Sequence, residues 1–393
     1  MIKMKFMKAT DQILDQFFSE RNSSQSTILN YTRAIKHFET FTGKTLSELL
    51  IIAENEEINN ISWKNSTLRP LLINYRIYLF EKYMKRTAEL YLQSVLTVFR
   101  HFEITIPPLP YFSMRNVKKP TPILPGELPD REVLKQVIEI KNPLLKAITL
   151  FMSSSGVSRI DTLNITIKEY IEFTKEFHHS NDIFTAVERM KDYEADIIPT
   201  FYLKRQKTNQ SFYTFCSPEA VNAINNYLYS RTDDFNKNTF LFKVQDRYLN
   251  KIFKEVNDQL GLGKAGTYSR FAPHMLRRYH ATQLAEAGMS VDMIDLLEGR
   301  KVPGVAHQSY IRIKPEVLKE EYIKCLPYLV VEDINKVRTK LDVEVEKNEK
   351  LVVELSEKTE KLDKYEEIFN NLDKIIKNLE ENRDEKFKID EFF

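Results

Sequence analysis

Between Ile106 and Pro129 the chain reads IPPLPYFSMRNVKKPTPILPGELP, seven prolines in one short stretch. Proline fixes φ and removes a backbone donor, so neither a helix nor a central strand runs through such a segment. Strongly helical patterns lie on both sides, so it is predicted to be an extended connector between separately folded units. The division that follows is a first domain over residues 1–106, a proline-rich linker over 107–129, a second domain over 130–330 and a tail over 331–393.

Only nine glycines occur and few runs alternate with period two, so the fold class is predicted to be mainly α. Residues 9–42 hold two apolar periodic segments; in the second, Ile28, Tyr31, Ile35 and Phe38 share one face. Ser66 to Phe80 and Arg86 to Phe102 supply two more, which makes a small four-helix unit. Beyond the linker, EVLKQVIEI and PLLKAITLFMSSS read as helices, the second stopped by Gly156. IIPTFYLK and SFYTFCS, separated by RQKTNQ, read as the one convincing hairpin, a small antiparallel sheet in a mostly helical α/β domain. APHMLRRYHATQLAEAG and SVDMIDLLEG read as helices ending at Gly288 and Gly299.

From Ile334 to Leu379 the steps of three and four run through Val337, Leu341, Glu344, Asn348, Leu351, Leu355, Lys358, Leu362, Tyr365, Phe369, Leu372 and Ile376 without proline or glycine, and eleven of the fourteen positions are apolar. This predicts a coiled coil of about 69 Å, with Asn348 at a core position favouring one register in a parallel pair. The alternative is a helix folded back on its own domain.

No window reaches the roughly 18 uncharged apolar residues of a membrane span, and MIKMKFMKATDQ lacks the apolar core of a secretory signal. Cys216 and Cys325 are far apart and form no CxxC, so neither a disulfide framework nor a thiolate zinc site is expected, and the default setting is cytoplasmic. The net charge of +2 conceals an asymmetry: 17 basic against 11 acidic residues in 1–125, 28 against 26 in 126–330, and 13 against 19 in 331–393, or +6, +2 and −6. A basic front points to a polyanionic partner.

The chain has no GxxxxGK[ST], GxGxxG or HExxH and no Cys/His cluster at ligand spacing, so nucleotide hydrolysis, dinucleotide chemistry and zinc hydrolysis lack support. Basic residues instead occupy special positions. His274 and Arg277 stand three apart at a helix start, on one face and beside the positive end of the helix dipole. Arg159 follows Gly156 and a predicted N-cap at Ser158, where backbone N–H groups are free. Lys207 lies at the hairpin tip, with Lys204 as a rival; Arg300 follows Gly299; Tyr310 comes ten residues later.

The order Arg, hairpin Lys, H-x-x-R, basic residue after glycine, Tyr resembles the tyrosine recombinase (phage integrase) family, and the match reaches most of residues 10–328. HMLRRYHATQLAEAG resembles H-x-L-R-H-[TS]-F-A-T-x-L-x-x-x-G, IDLLEGR with HQSYIRI resembles LLGH…TxxYxxx, QKTNQSFYTF resembles the KTGK hairpin, and SGVSRIDTLNI resembles TGLRISELLxL. Arg159 stands three residues after its glycine where the family usually has two, and Thr162, with Asp161 beside it, takes the place of the usual acidic residue. Arg300 takes the family's second His or Trp position, with Lys301 as the alternative at the common spacing. The wording there is similar to integrases of archaeal viruses and plasmids.

The resemblance implies a SAM-like helical core-binding domain that completes a clamp around DNA, followed by the catalytic domain. It implies Tyr310 as nucleophile, giving a 3′-phosphotyrosyl intermediate, with Arg159, Arg277, His274 and Arg300 on the phosphate and Lys207 protonating the leaving 5′ oxygen. No metal, nucleotide or other cofactor is needed. The partners implied are double-stranded DNA carrying specific recombination sites and three further copies of the chain in a tetramer, with self-association of the tail and no membrane. KPEVLKEEYIKCLPYL, residues 314–329, resembles the terminal helix that many members dock on a neighbouring subunit. The rival readings are a type IB topoisomerase-like or resolving enzyme on the same fold, and a DNA-binding architectural protein whose catalytic set has decayed.

Overall fold

The computed structural model describes residues 10–124, 126–193, 196–233, 236–300 and 314–332, together with isolated positions between 355 and 374. Tyr310, Lys301 and most of the tail lie outside the described residues. The chain divides into two compact units, Met1–Pro122 and Ile123–Phe393.

Among the described residues the first unit has five helices: α1 Thr10–Glu20, α2 Gln25–Thr42, α3 Leu46–Ile58, α4 Leu68–Lys82 and α5 Lys85–His101. They close on Phe17, Ile35, Phe38, Leu50, Leu72, Tyr75, Val95 and Phe99. The four-helix expectation omits α3, whose apolar run Leu49–Ala53 blurs the amphipathic stripe. Its start is nevertheless written locally, because Thr45 and Glu48 form a reciprocal capping box. The proline-rich segment carries no regular element, yet it is not a free connector. Ile104 and Val117 are buried in the first unit, and Phe112 packs on Phe80 with ring centroids 5.1 Å apart. Past the boundary Arg270 donates to the Leu128 and Gly126 carbonyls.

The second unit is built around α7, Pro143–Ser155, in which Leu145 and every residue from Ala147 to Ser155 are buried. A helix apolar all round must be enclosed; α12 (Pro218–Ser230) and α14 (Pro273–Glu286) cover it. Around these lie α6 Arg131–Ile138, α8 Arg159–Asn164, α9 Ile167–Phe173, α10 Lys175–His178, α11 Ile183–Met190, α13 Asp246–Gln259 and α15 Val291–Leu297. Strands β1 Thr200–Lys204 and β2 Ser211–Phe215 pair antiparallel with Tyr202 opposite Tyr213, and the short β3 Lys264–Ala265 pairs with β4 Tyr268–Ser269.

Helix α16, Pro315–Leu329, packs on its own domain. Leu318, Tyr322, Cys325, Leu326 and Leu329 join Phe215, Leu284, Ile294 and Leu297 in one apolar cluster. The Tyr322 hydroxyl donates to the Ser154 carbonyl at 2.9 Å, and Arg131 Nη2 donates to the Pro327 carbonyl at 2.8 Å. At the helix exit the Glu219 carboxylate accepts the Val331 and Glu332 N–H groups, each at 2.8 Å.

Burial raises the Glu219 carboxyl from 4.5 to about 7, against the opposing pull of its two backbone donors. The folded chain therefore binds more protons than the unfolded chain across that window, and stability falls as pH rises through it. The contribution, on the order of 3 kcal/mol, is complete below the unfolded value and gone above the folded one. Glu219→Gln is expected to flatten the pH dependence of urea unfolding between the two values, and an unchanged slope would rule this assignment out.

Candidate active site

The site grows from two tight corners, each just after a helix. α7 ends at Gly156, whose φ is 65°, and Ser158 caps α8 two residues later, making Arg159 the first helical residue. The Arg159 guanidinium is received by α13. Its Nε lies 2.6 Å from Asp246 Oδ1, its Nη2 donates to Asp246 Oδ2 at 3.2 Å, and its Nη1 donates to Asn250 Oδ1 at 2.5 Å. Asp246 and Asn250 stand one turn apart, so a single helix face supplies both acceptors.

The acidic residue on α8 serves the hairpin instead. Asp161 is buried, accepts the Gln206 N–H at 2.9 Å and lies 3.9 Å from Arg205 Nε. That ties the root of the β1–β2 loop to the start of α8 and leaves Lys207 exposed in the turn, with Lys204 exposed at the end of β1. Thr162 is fully buried, and its hydroxyl has no hydrogen-bond partner among the described residues.

Proline at the first position of α14 sets His274 and Arg277 in its first turns. Arg277 donates from Nη1 to the Gly156 carbonyl at 2.7 Å and from Nη2 to the Glu298 carbonyl at 2.6 Å, while its Nε lies 3.1 Å from Glu298 Oε2. A guanidinium has five N–H groups. Two of them donate to the carbonyls and Nε is paired by charge with the Glu298 carboxylate, so N–H groups remain for an anion. Burial pushes the Arg277 guanidinium down to about 10, with Glu298 opposing the shift, so it stays charged at neutral pH. Partial desolvation, then the positive charges of Arg278 and Arg159, lower the pKa of His274, which favours the neutral imidazole at neutral pH.

The second corner follows α15. Glu298 is fully buried, and Gly299 brings the chain round so that Arg300 Nη2 sits 2.5 Å from Glu298 Oε2 and Nη1 sits 3.5 Å from Asp295 Oδ1. Arg205 Nη1 donates to the Gly299 carbonyl at 3.1 Å. His280, also fully buried, places Nδ1 3.1 Å from Glu298 Oε1.

The structure thus gathers Arg159, His274, Arg277, Arg300 and the root of the Lys207 loop into one neighbourhood. Sequence reasoning missed Arg205, His280, Glu298, Asp246 and Asn250. The spacing H-x-x-R-x-x-H over 274–280 and the acid before Gly299 were the available signals. Among the described residues no group of three or more His, Cys, Asp or Glu side chains could hold a metal ion, and no helix is long and apolar enough to cross a membrane.

Residues 132–316 match the phage integrase family. No curated protein sequence matches the chain. Among solved structures, the chain is similar to a lambda integrase tetramer bound to a Holliday junction, with TM-score 0.50 and 15% identity over 77% of this chain and 78% of that one. It is also similar to the XerH site-specific recombinase in a post-cleavage complex with palindromic difH substrate, with TM-score 0.49 and 16% identity over 79% and 83%. The Tn1549 transposon integrase in complex with circular intermediate DNA gives TM-score 0.49 and 13% identity over 80% and 98%.

Proposed function

We propose that this chain, matched over residues 132–316 to the phage integrase family, is a site-specific tyrosine recombinase that breaks and rejoins DNA strands without metal or nucleotide. The observation that carries the proposal is the half-buried Arg277, held by the Gly156 and Glu298 carbonyls and by the Glu298 carboxylate charge with N–H groups to spare, in one neighbourhood with Arg159, Arg300 and His274. A phosphodiester under in-line attack gathers charge on its non-bridging oxygens, and preorganised guanidiniums stabilise that charge in place of a metal ion.

In this reading the Tyr310 hydroxyl attacks the scissile phosphorus, the P–O5′ bond breaks, and Lys207 protonates the leaving 5′ oxygen. Neutral His274 accepts or relays the tyrosine proton. The 3′-phosphotyrosyl ester keeps the bond energy, so a 5′ hydroxyl from another strand reverses the step and joins it to a new partner. Strand exchange between two sites requires four such chains on DNA. An archaeal virus or plasmid as source rests on the sequence wording around Arg300 alone.

The tail is assigned to protein contact. Leu355, Leu362, Tyr365, Phe369 and Leu372 are helical and 48% to 69% exposed, and they fall on the three-four pattern that a second copy would cover. The decisive experiment incubates the chain with a nicked DNA site selected by binding, then isolates any covalent protein–DNA adduct and maps the linked residue. An adduct on Tyr310 is expected; an adduct on another side chain, or none from a chain that binds the site, overturns the reading. Run in parallel, a chain ending at Glu332 keeps the Glu219 contacts and is expected to form a smaller assembly on paired sites; an unchanged assembly removes the role of the tail.

A further inference from the structure

We propose that Glu298 is the positioning residue of this site: its buried carboxylate, shared by Arg277, Arg300 and His280, sets the two guanidiniums in the geometry that meets a phosphodiester. The inference rests on the recombinase reading above.

Glu298 grips Arg277 twice, through Oε2 at 3.1 Å from Nε and through its own carbonyl at 2.6 Å from Nη2. The carbonyl contact is a directional hydrogen bond and the carboxylate contact an ion pair, and together they hold the guanidinium in place. The same Oε2 lies 2.5 Å from Arg300 Nη2, which makes the carboxylate a bridge between the two cations. The other oxygen, Oε1, faces His280 Nδ1 at 3.1 Å. The His280 ring in turn lies against Gly156, where a Cβ would sit 2.4 Å from Nδ1, and the Gly156 carbonyl accepts Arg277 Nη1. Gly156, Arg277, Glu298 and His280 therefore form a closed ring of contacts, and movement of any one displaces the others.

The chain beyond Glu298 is pinned as well. A Cβ on Gly299 would meet the Phe212 ring at 2.6 Å, and the Arg300 N–H donates to the Asp295 carbonyl at 2.8 Å. Arg205 and Arg300 both act on Arg277 as like charges, and Glu298 is the nearby anion that offsets them. Asp161 adds a weaker opposite charge. Without the Glu298 carboxylate, three guanidiniums would repel one another across the space meant for one phosphate. With it, Arg300 keeps 43% of its side chain exposed and available to a ligand.

Glu298→Gln keeps the shape and removes the charge; Glu298→Asp keeps the charge and shortens its reach. At saturating site DNA, the rate of adduct formation per bound complex is expected to fall about 10- to 100-fold in the glutamine variant and several-fold in the aspartate variant, because a displacement of about 1 Å has effects of that size. DNA affinity, which rests mainly on phosphate contacts spread over the surface, is expected to change by no more than about twofold. A glutamine variant that melts earlier but cleaves at the parental rate once bound has only a structural Glu298, and the inference fails. If the glutamine variant does not fold, a folded aspartate variant with the parental rate overturns it equally. Absence of a Tyr310 adduct from the parental chain would sink the recombinase reading, a result distinct from a parental adduct that both variants reproduce.

Discussion

Replacement of Arg277 by lysine is expected to slow formation of the covalent intermediate about 10³-fold in single turnover, the loss typical of removing a preorganised donor from a developing oxyanion. The charge survives, so the effect isolates geometry. Arg277 reaches Gly156 O, Glu298 O and the Glu298 carboxylate simultaneously because its donors are spread around a rigid plane. An ammonium is a point charge with three donors on a flexible stem. It can satisfy part of that set or face the phosphate, and not both. The acceptors it abandons are buried, so a stability loss of about 1–3 kcal/mol should accompany the rate effect. A lysine variant within about tenfold of the parental rate would show that Arg277 is a structural clamp and that the phosphate is met elsewhere.

The elements that could be read from the chain are those written by local rules. Proline density marks the end of the first unit, Ser24, Asp130, Ser158 and Ser290 cap helices as such residues do, and the alternation around RQKTNQ forms the hairpin. Placement of His274 and Arg277 in the first turns of α14 follows from Pro273. The partners of those side chains were not legible, because each lies far along the chain: Gly156 is 121 residues from Arg277, and Asp246 is 87 from Arg159. Nothing local distinguishes Asp246, in the first turn of an amphipathic helix, from a solvated surface acid.

The same limit explains two differences in particular. Asp161, beside the usual acidic position and two residues from Arg159, faces the hairpin, accepting the Gln206 N–H and the Ser158 hydroxyl, the latter at 2.6 Å. The terminal helix was expected to resemble one that docks on a neighbour. Its cis packing depends on a hydroxyl, Tyr322, reaching a carbonyl 168 residues earlier, which no periodicity encodes.

Gly156→Ala should destabilise the second unit by about 2–5 kcal/mol. A left-handed backbone costs an L-residue about 1–2 kcal/mol by itself. Gly261 measures that term alone, since its φ is 62° and a Cβ there meets nothing within 4 Å. At Gly156, φ is 65° and the added methyl would fall 2.4 Å from Nδ1 and 2.6 Å from Cε1 of His280. That ring is fully buried and tethered to Glu298, so it cannot swing away as a surface side chain would. Overpacking of this kind adds about 1–3 kcal/mol. If the ring yields, the Glu298 contact lengthens, and if the backbone yields, the carbonyl withdraws from Arg277 Nη1; either response loosens the phosphate site. Urea unfolding of Gly156→Ala beside Gly261→Ala checks the difference. Equal losses in the two variants would mean that His280 is free to move, and the closed ring of contacts around Arg277 would lose its rigidity.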